Sequence, residues 1–196
     1  MHETSVFPRR LNRLAQLCAE VLPRDSRVLD IGCGDGRLAQ RLSQLRPDLS
    51  ITGIDVLVRD KVYIPVDKFD GQAIPYPNHS FDVAMLMDVL HHTEDPVILL
   101  REAARVSKHQ ILIKDHTLDG LLAGSRLRFM DHVGNARYGV NLPFNYWPLS
   151  KWQQVWRELG LNVASWNSRL RLYPWPATYV FDASLQFLTC LTHEAQ

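Results

Sequence analysis

The chain has 196 residues, of which 46% are hydrophobic and 22% charged, the balance of an ordinary globular domain. Its 22 basic and 21 acidic residues leave a net charge of +1, which provides no overall attraction to nucleic acid. Three cysteines without a Cys-x-x-Cys pair argue against disulfides or a zinc site and indicate a reducing cytoplasm. No segment has the length and apolarity of a membrane span, and the first residues do not form a signal-peptide pattern.

An amphipathic helix is predicted near the start of the chain, over residues 8–22. Leu11, Leu14, Leu17 and Val21 recur at helical spacing and form one apolar stripe. We expect this helix, within an N-terminal segment of residues 1–24, to pack against the edge or rim of a sheet.

A glycine-rich turn follows the first predicted strand, residues 28–31. The turn opens a helix, because leucines recur at helical spacing after it. Its pattern is Asp30-x-Gly32-Cys33-Gly34-x-Gly36. Alternating glycines let the backbone turn sharply and approach a ligand with no Cβ atoms in the way. The turn therefore predicts a nucleotide-like ligand at a helix N-terminus.

The acid on the strand distinguishes this turn from phosphate-binding loops. The lysine of a Walker loop is absent, and an acid at this position would repel a pyrophosphate. Asp30 can instead receive the amino end of an amino-acid-like ligand. The pattern resembles the first motif of the class I S-adenosylmethionine-dependent methyltransferases. That resemblance implies S-adenosylmethionine as cofactor, S-adenosylhomocysteine as product, and Gly32, Cys33, Gly34 and Gly36 at the cofactor. Cys33 is interpreted as a small side chain tolerated between two glycines.

Two further acids complete the predicted cofactor site. Asp55 closes the next predicted strand, residues 49–55, where a carboxylate can accept hydrogen bonds from both hydroxyls of a ribose. Asp70 begins a proline-rich stretch that resembles the segment wrapping the adenine ring in this family, and it would accept from the exocyclic amine. The resemblance adds neighbours of these acids and of the next strand to the site, namely Val56, Gly71, Gln72, Asp88 and Val89.

Strand and helix alternate through the first 115 residues, which favours a doubly wound α/β sheet. The resemblance implies a three-layer Rossmann-like sandwich whose seven-stranded sheet is mostly parallel, with an antiparallel final strand containing Leu185-Gln186-Phe187-Leu188. We expect one domain over residues 1–196. It would divide into a cofactor-binding half, residues 25–115, and an acceptor-side half, residues 116–196.

The boundaries of the remaining elements follow from periodicity and capping residues. Asp95 and Pro96 predict the start of a helix that continues to residue 106. The other predicted elements are strands over residues 81–87, 110–114, 161–166 and 178–191, helices over residues 118–133 and 149–159, and a loop over residues 134–148.

Histidines follow two of the predicted strands. His91 and His92 come after the strand at residues 81–87, a second feature of the same family. Adjacent side chains on an extended segment point opposite ways, so this pair is not expected to share a metal. His116 follows the strand that borders the predicted acceptor cleft and is the preferred general base, with His132 and His91 as alternatives. At each position a structural, hydrogen-bonded histidine is the competing interpretation.

Aromatic residues concentrate in the second half of the chain, which predicts an apolar pocket for a small organic acceptor. Core packing is the competing interpretation for any single aromatic. A lid or pocket wall is predicted over residues 129–147, within a helix and loop at about 118–148. That segment is dense in polar and aromatic side chains, namely His132, Asn135, Asn141, Asn145 and Tyr146.

The resemblance implies transfer of a methyl group from S-adenosylmethionine to a small organic acceptor by in-line displacement. One alternative is an RNA methyltransferase, which the neutral charge balance disfavours. Another is a domain that binds the cofactor and regulates a partner without turnover. A metal-assisted reaction would draw on Asp115, His116, Asp119, Asp131 and His132. No spacing among them is diagnostic, so no metal site is predicted.

Overall fold

One seven-stranded sheet runs through the residues that the computed structural model describes, which are 3–120, 122–135, 145–175, 177–182 and 185–194. Its strands are β1 (Arg27–Ile31), β2 (Ser50–Asp55), β3 (Val66–Lys68), β4 (Phe81–Met87), β5 (Ser107–His116), β6 (Leu161–Asn167) and β7 (Gln186–His193). The order across the sheet is β3-β2-β1-β4-β5-β7-β6. Every pairing is parallel except those of β7, which runs antiparallel to β5 and β6. The predicted topology is confirmed.

Helices connect these strands in the described chain. They are α1 (Glu3–Val21), α2 (Arg37–Leu45), α3 (Pro96–Val106), α4 (Ala123–Asn135), α5 (Leu149–Glu158) and α6 (Ala177–Phe181). The start of α3 is as predicted, since the Asp95 side chain accepts a hydrogen bond from the Val97 N–H at 2.9 Å. A helix with the length and hydropathy to cross a bilayer does not occur among them.

Apolar side chains pack on both faces of the sheet, which makes the three layers. One core joins α1 and α2 to the sheet and includes Leu170 and Leu172 from the segment after β6. The other core joins α3 and α5 to the opposite face. Trp152 and Trp156 of α5 are fully buried there, so core packing is the correct interpretation for these two aromatics.

The structure differs from the sequence-based boundaries at several places. The strand β5 begins at Ser107 instead of residue 110, α4 begins at Ala123 instead of residue 118, and three further differences follow. First, α1 begins at Glu3, before the predicted start, and so contains Pro8 within the helix. Second, the strand predicted from residue 178 is wrong at its start. There α6 forms instead, the Thr178 N–H donating to the Pro174 carbonyl at 3.0 Å and the Asp182 N–H to the Thr178 carbonyl at 2.9 Å. Third, the edge strand β3, paired with β2, lies just before the proline-rich stretch, where no strand was predicted.

Candidate active site

The glycine-rich turn between β1 and α2 is tightly packed on one side and open on the other. Gly32, Gly34 and Gly36 all have positive φ. A Cβ at Gly32 would lie 2.6 and 2.9 Å from the two methyl carbons of Val89, so only glycine fits where the turn meets the segment after β4. Around a Cβ placed at Gly34, the described chain has no heavy atom within 4 Å. A ligand can therefore approach the backbone at Gly34.

The carboxylate of Asp55, at the end of β2, holds this turn. Its Oδ2 accepts a hydrogen bond from the Gly34 N–H at 2.7 Å, and its Oδ1 accepts one from the Leu57 N–H at 2.9 Å. An ionised carboxylate has about four acceptor positions, so each oxygen can accept a further hydrogen bond. Asp55 thus lies beside the open part of the turn with unused acceptor positions, as the predicted ribose contact requires.

Asp30, on β1, is a buried acid that lacks a partner. It is 1% exposed, and its Oδ2 makes no hydrogen bond within the described chain. Burial, together with the nearby charge of Asp55, raises the pKa of Asp30 to about 7. A cationic group bound beside it would supply the missing hydrogen bonds and oppose the repulsion. The surroundings of Asp30 therefore fit the amino end of S-adenosylmethionine.

The segments predicted to hold the ribose and the adenine lie against each other. A Cβ at Gly71, where φ is +85°, would lie 3.1 Å from Cγ1 of Val56. Asp70 Oδ1 accepts hydrogen bonds from the Gln72 and Ala73 N–H groups, each at 2.8 Å, and these bonds lower the pKa of the Asp70 carboxyl. Asp70 is thus an exposed, ionised acceptor within a turn that it stabilises itself.

The side chain of Cys33 packs beneath the turn. Its Sγ would lie 2.6 Å from a Cβ placed at Gly53 on β2, so the sulfur occupies the space that this glycine leaves. Burial and the charges of Asp30 and Asp55 raise the pKa of the Cys33 thiol. Cys33 is therefore a protonated packing group at neutral pH, which agrees with its interpretation as a small tolerated side chain.

Asp88, which the sequence places at the cofactor, lies between two cations. Arg10 of α1 bonds to its Oδ2 and Lys114 of β5 bonds to its Oδ1. Burial raises the pKa of Asp88, but the charges of Lys114 and Arg10 outweigh it and hold that pKa well below its usual range. Sequence analysis missed both cations. The sequence feature that could have indicated this role for Lys114 is a charged residue at the end of an otherwise apolar strand. The Lys114 side chain is fully buried.

His91 forms a buried pair with the acid that ends the same strand. Its Nδ1 lies 2.6 Å from Oδ1 of Asp115, and both side chains are 1% exposed. Burial raises the pKa of Asp115, but attraction to His91 and His116 outweighs it and leaves that pKa well below its usual range. Because an ionised carboxylate only accepts hydrogen bonds, Nδ1 carries the proton and Nε2 is the basic nitrogen of the ring.

His116, the preferred base from the sequence, lies beside this pair. Its Nδ1 is 3.7 Å from Oδ1 of Asp88 and 3.7 Å from Oδ1 of Asp115, and this nitrogen makes no hydrogen bond in the described chain. Burial and the charge of Lys114 lower the pKa of His116 to about 4. His116 is therefore neutral at physiological pH and a weak base. For His132, on α4, the side chain lies outside the described part of the structure.

Part of the predicted lid reaches the histidines. The ring of Tyr146 stacks on His91 with centroids 5.3 Å apart, and the Asn145 N–H donates to the His91 carbonyl at 3.1 Å. Tyr146 also lies edge-on to His116, at 6.0 Å. Asn141 and the rest of residues 136–144 lie outside the described residues. Tyr146, at the described end of the segment, thus forms an aromatic wall over His91 and His116.

Three side chains at this site have ligand atoms close enough to share a metal ion. They belong to Asp88, His91 and His116, and the atoms lie within 4.8 Å of one another. However, Arg10 and Lys114 bond to the two oxygens of Asp88, so a divalent cation would face two positive charges and displace a buried lysine. The ion pair is the arrangement that these charges favour. Asp119, weighed from the sequence as a ligand, accepts instead from the Leu149 N–H at 2.6 Å.

Comparison with known proteins places the chain in a family. A family model described as a methyltransferase domain matches residues 3–165. The chain is 33% identical over 119 residues to a 27-O-demethylrifamycin SV methyltransferase of Amycolatopsis mediterranei, which covers 53% of this chain and 43% of that protein. It is 29% identical over 116 residues to a ubiquinone biosynthesis O-methyltransferase of Yersinia pestis, covering 53% and 46%. The matched region thus spans under half the length of either relative.

Solved structures agree on the fold. A structure described as a SAM-dependent methyltransferase from Aquifex aeolicus superposes with a TM-score of 0.62 at 17% identity, and the match covers 94% of this chain and 93% of that one. The matched residues include the glycine-rich turn, the acids Asp30 and Asp55 beside it, and the histidines His91 and His116. The chain belongs to the methyltransferase domain family, and the resemblance to class I enzymes is confirmed.

Proposed function

We propose that the chain transfers a methyl group from S-adenosylmethionine to an oxygen of a small organic acceptor. The observation that carries this proposal is the buried pair of His91 and Asp115, which lies at the end of the sheet that holds the glycine-rich turn. A hydroxyl must lose its proton when it is methylated, and a histidine held by a carboxylate suits that task. The two O-methyltransferase relatives support the choice of oxygen.

In this proposal the residues around the turn bind the cofactor. Asp55 accepts hydrogen bonds from the ribose hydroxyls, Asp30 takes the amino group, and Asp70 accepts from the adenine amine. Bound S-adenosylmethionine supplies a methyl group activated by its sulfonium sulfur. The residues of the chain align the acceptor oxygen with that methyl group and remove the proton from the acceptor hydroxyl.

His91 is the proposed base in preference to His116. The acceptor hydroxyl would give its proton to Nε2 of His91 as its oxygen takes the methyl group and S-adenosylhomocysteine leaves. Asp115 would stabilise the imidazolium that results. A base works best when its pKa lies near the working pH, and that of His116 is about 4. His116 is then a neutral neighbour that can hydrogen-bond to the acceptor.

The acceptor is proposed to be a small organic molecule. Tyr146 and the imidazole rings form an aromatic wall beside the base, which suits a compact apolar ligand with one polar group. The net charge of +1 provides no general attraction to the RNA backbone. The free thiols of Cys18, Cys33 and Cys190 agree with the proposed cytoplasmic location.

A labelling experiment tests the proposal. The full chain is incubated with S-adenosylmethionine labelled in its methyl group, once with a metabolite extract and once with total RNA. We expect label in a small molecule, on an oxygen atom identified by mass spectrometry and NMR, and S-adenosylhomocysteine in equal amount. Label in RNA alone would show that the acceptor is RNA and not a small molecule. Cofactor binding with no labelled product would show a regulatory domain instead.

A further inference from the structure

A cavity of about 320 Å³ lies on one face of α1. Four of its lining residues, Arg9, Asn12, Arg13 and Gln16, follow the spacing that places side chains on the same face of a helix. The fifth, Arg171, comes from the segment between β6 and α6. None of these residues belongs to the active site described above, so the cavity is separate from the methyl-transfer chemistry.

Three of the five residues that line this cavity are arginines, and none of the five is an acid. Arg13 donates from Nε to the Leu170 carbonyl at 3.2 Å, which leaves its other donors unused. Arg9 and Arg171 make neither an ion pair nor a hydrogen bond to the described residues. Positive charge is thus concentrated locally in a chain whose net charge is only +1.

Two features of this arrangement of arginines are energetically unfavourable for the folded chain. Arg9 and Arg13 are four residues apart on a helix, where like charges repel each other and destabilise the helix. Arg171 has a φ of 54°, in the left-handed region that side chains other than glycine rarely adopt. A bound anion would offset the repulsion among these arginines, which water and dissolved ions only screen.

The side chains that line the cavity carry mainly hydrogen-bond donors. Each guanidinium offers five N–H donors in a planar fork that matches the oxygens of a phosphate. The side-chain oxygen of Asn12 already accepts from Nε of Arg41 at 2.7 Å, so its remaining polar group is the donating amide nitrogen. The volume lies at the lower end of the range for small-molecule sites, roughly 300–1,000 Å³.

We propose that this cavity binds the phosphate group of a small molecule. A long nucleic-acid strand would need a basic stripe along the surface, and here the charge is confined to one cavity. Between Arg9 and Arg13, Arg10 extends to Asp88 of the active site, so α1 contacts both sites. The proposal does not depend on the methyl-transfer function, because it involves no residue of that site.

Calorimetry of the full chain with inorganic phosphate and with pyrophosphate tests this inference at low ionic strength, where charge interactions are least screened. We expect binding of pyrophosphate, weakened about tenfold by Arg171→Gln, since each arginine removed deletes charge-assisted hydrogen bonds. Arg9→Gln provides a second variant near the exposed start of α1. Arg101→Gln, which removes an exposed arginine of α3, is the matched control and should leave the affinity unchanged.

Two results would overturn the assignment. One is equal pyrophosphate affinity in the parent chain, Arg171→Gln and Arg9→Gln, with all three showing the same melting temperature. The other is a single-stranded RNA oligomer that binds through these arginines when pyrophosphate does not, which would make the ligand a nucleic acid.

Discussion

Replacing His91 with asparagine is expected to lower kcat by about 10² to 10⁴. Asparagine presents an amide N–H group near the position of Nδ1, so the hydrogen bond to Asp115 can persist. No nitrogen remains at the position of Nε2 to take the acceptor proton. Rates are measured over a range of pH with labelled cofactor and the acceptor found in the extract. The loss in kcat should appear across the pH range, and the affinity for S-adenosylmethionine should not change.

Two other histidines serve as controls for that variant. His109→Asn changes an exposed histidine at the opposite end of β5 and should keep the parent kcat. His92→Asn changes the ring whose centroid lies 3.9 Å from that of His91, and it tests which of the adjacent histidines is the base. Parent-like turnover in His91→Asn, or a large loss in His92→Asn alone, would show that His91 does not take the proton.

Replacing Asp88 with alanine is expected to lower the free energy of unfolding by about 3–5 kcal/mol. Lys114 is fully buried and Asp88 is its bonded counter-ion, so the variant would keep an uncompensated charge in the interior. Arg10 would lose its partner as well, which would weaken the attachment of α1 to the end of β4. Denaturant unfolding of the parent and the variant gives the difference.

The loss in Asp88→Ala should depend on pH in a definite direction. Burial lowers the pKa of Lys114 from its ordinary value of 10.5. Without Asp88 that pKa falls further in the folded state, so the unfolded state binds more protons and the stability of the variant rises with pH. The deficit should therefore shrink as the pH is raised toward 10.5. A small, pH-independent deficit, equal to that of the exposed-site control Asp60→Ala, would contradict the ion-pair account.

Local patterns were sufficient to predict where the glycines and acids of the proposed cofactor site lie in the fold. Asp30, the glycine turn and Asp55 lie close in sequence to the strand ends that position them, so periodicity and turn residues are enough to predict their place. The pairing of parallel strands then brings Asp55 to the turn. The start of α3 could also be predicted from a local interaction, because Asp95 caps the helix through a residue two positions away.

Other features depend on contacts distant in sequence. Arg10 and Asp88 are 78 positions apart, and only the packing of α1 on the sheet brings them together. The pKa of His116 is lowered by burial and by the charge of Lys114. Neither cause can be predicted from the residue type. Thr178 and Tyr179 have high strand propensity, yet they lie in α6 because the hydrogen bonds between residues 174 and 182 close a helical turn.

Calorimetry with S-adenosylmethionine and S-adenosylhomocysteine tests the central claim, that the glycine turn and its acids bind this cofactor, most directly. We predict that the parent chain binds both ligands and that Asp55→Ala weakens both at least about tenfold, because it removes charge-assisted hydrogen bonds worth about 1.5–3 kcal/mol each. Asp60→Ala, a nearby exposed acid, should bind both ligands like the parent. Equal affinities in the parent and Asp55→Ala, or no binding by the folded parent, would contradict the account.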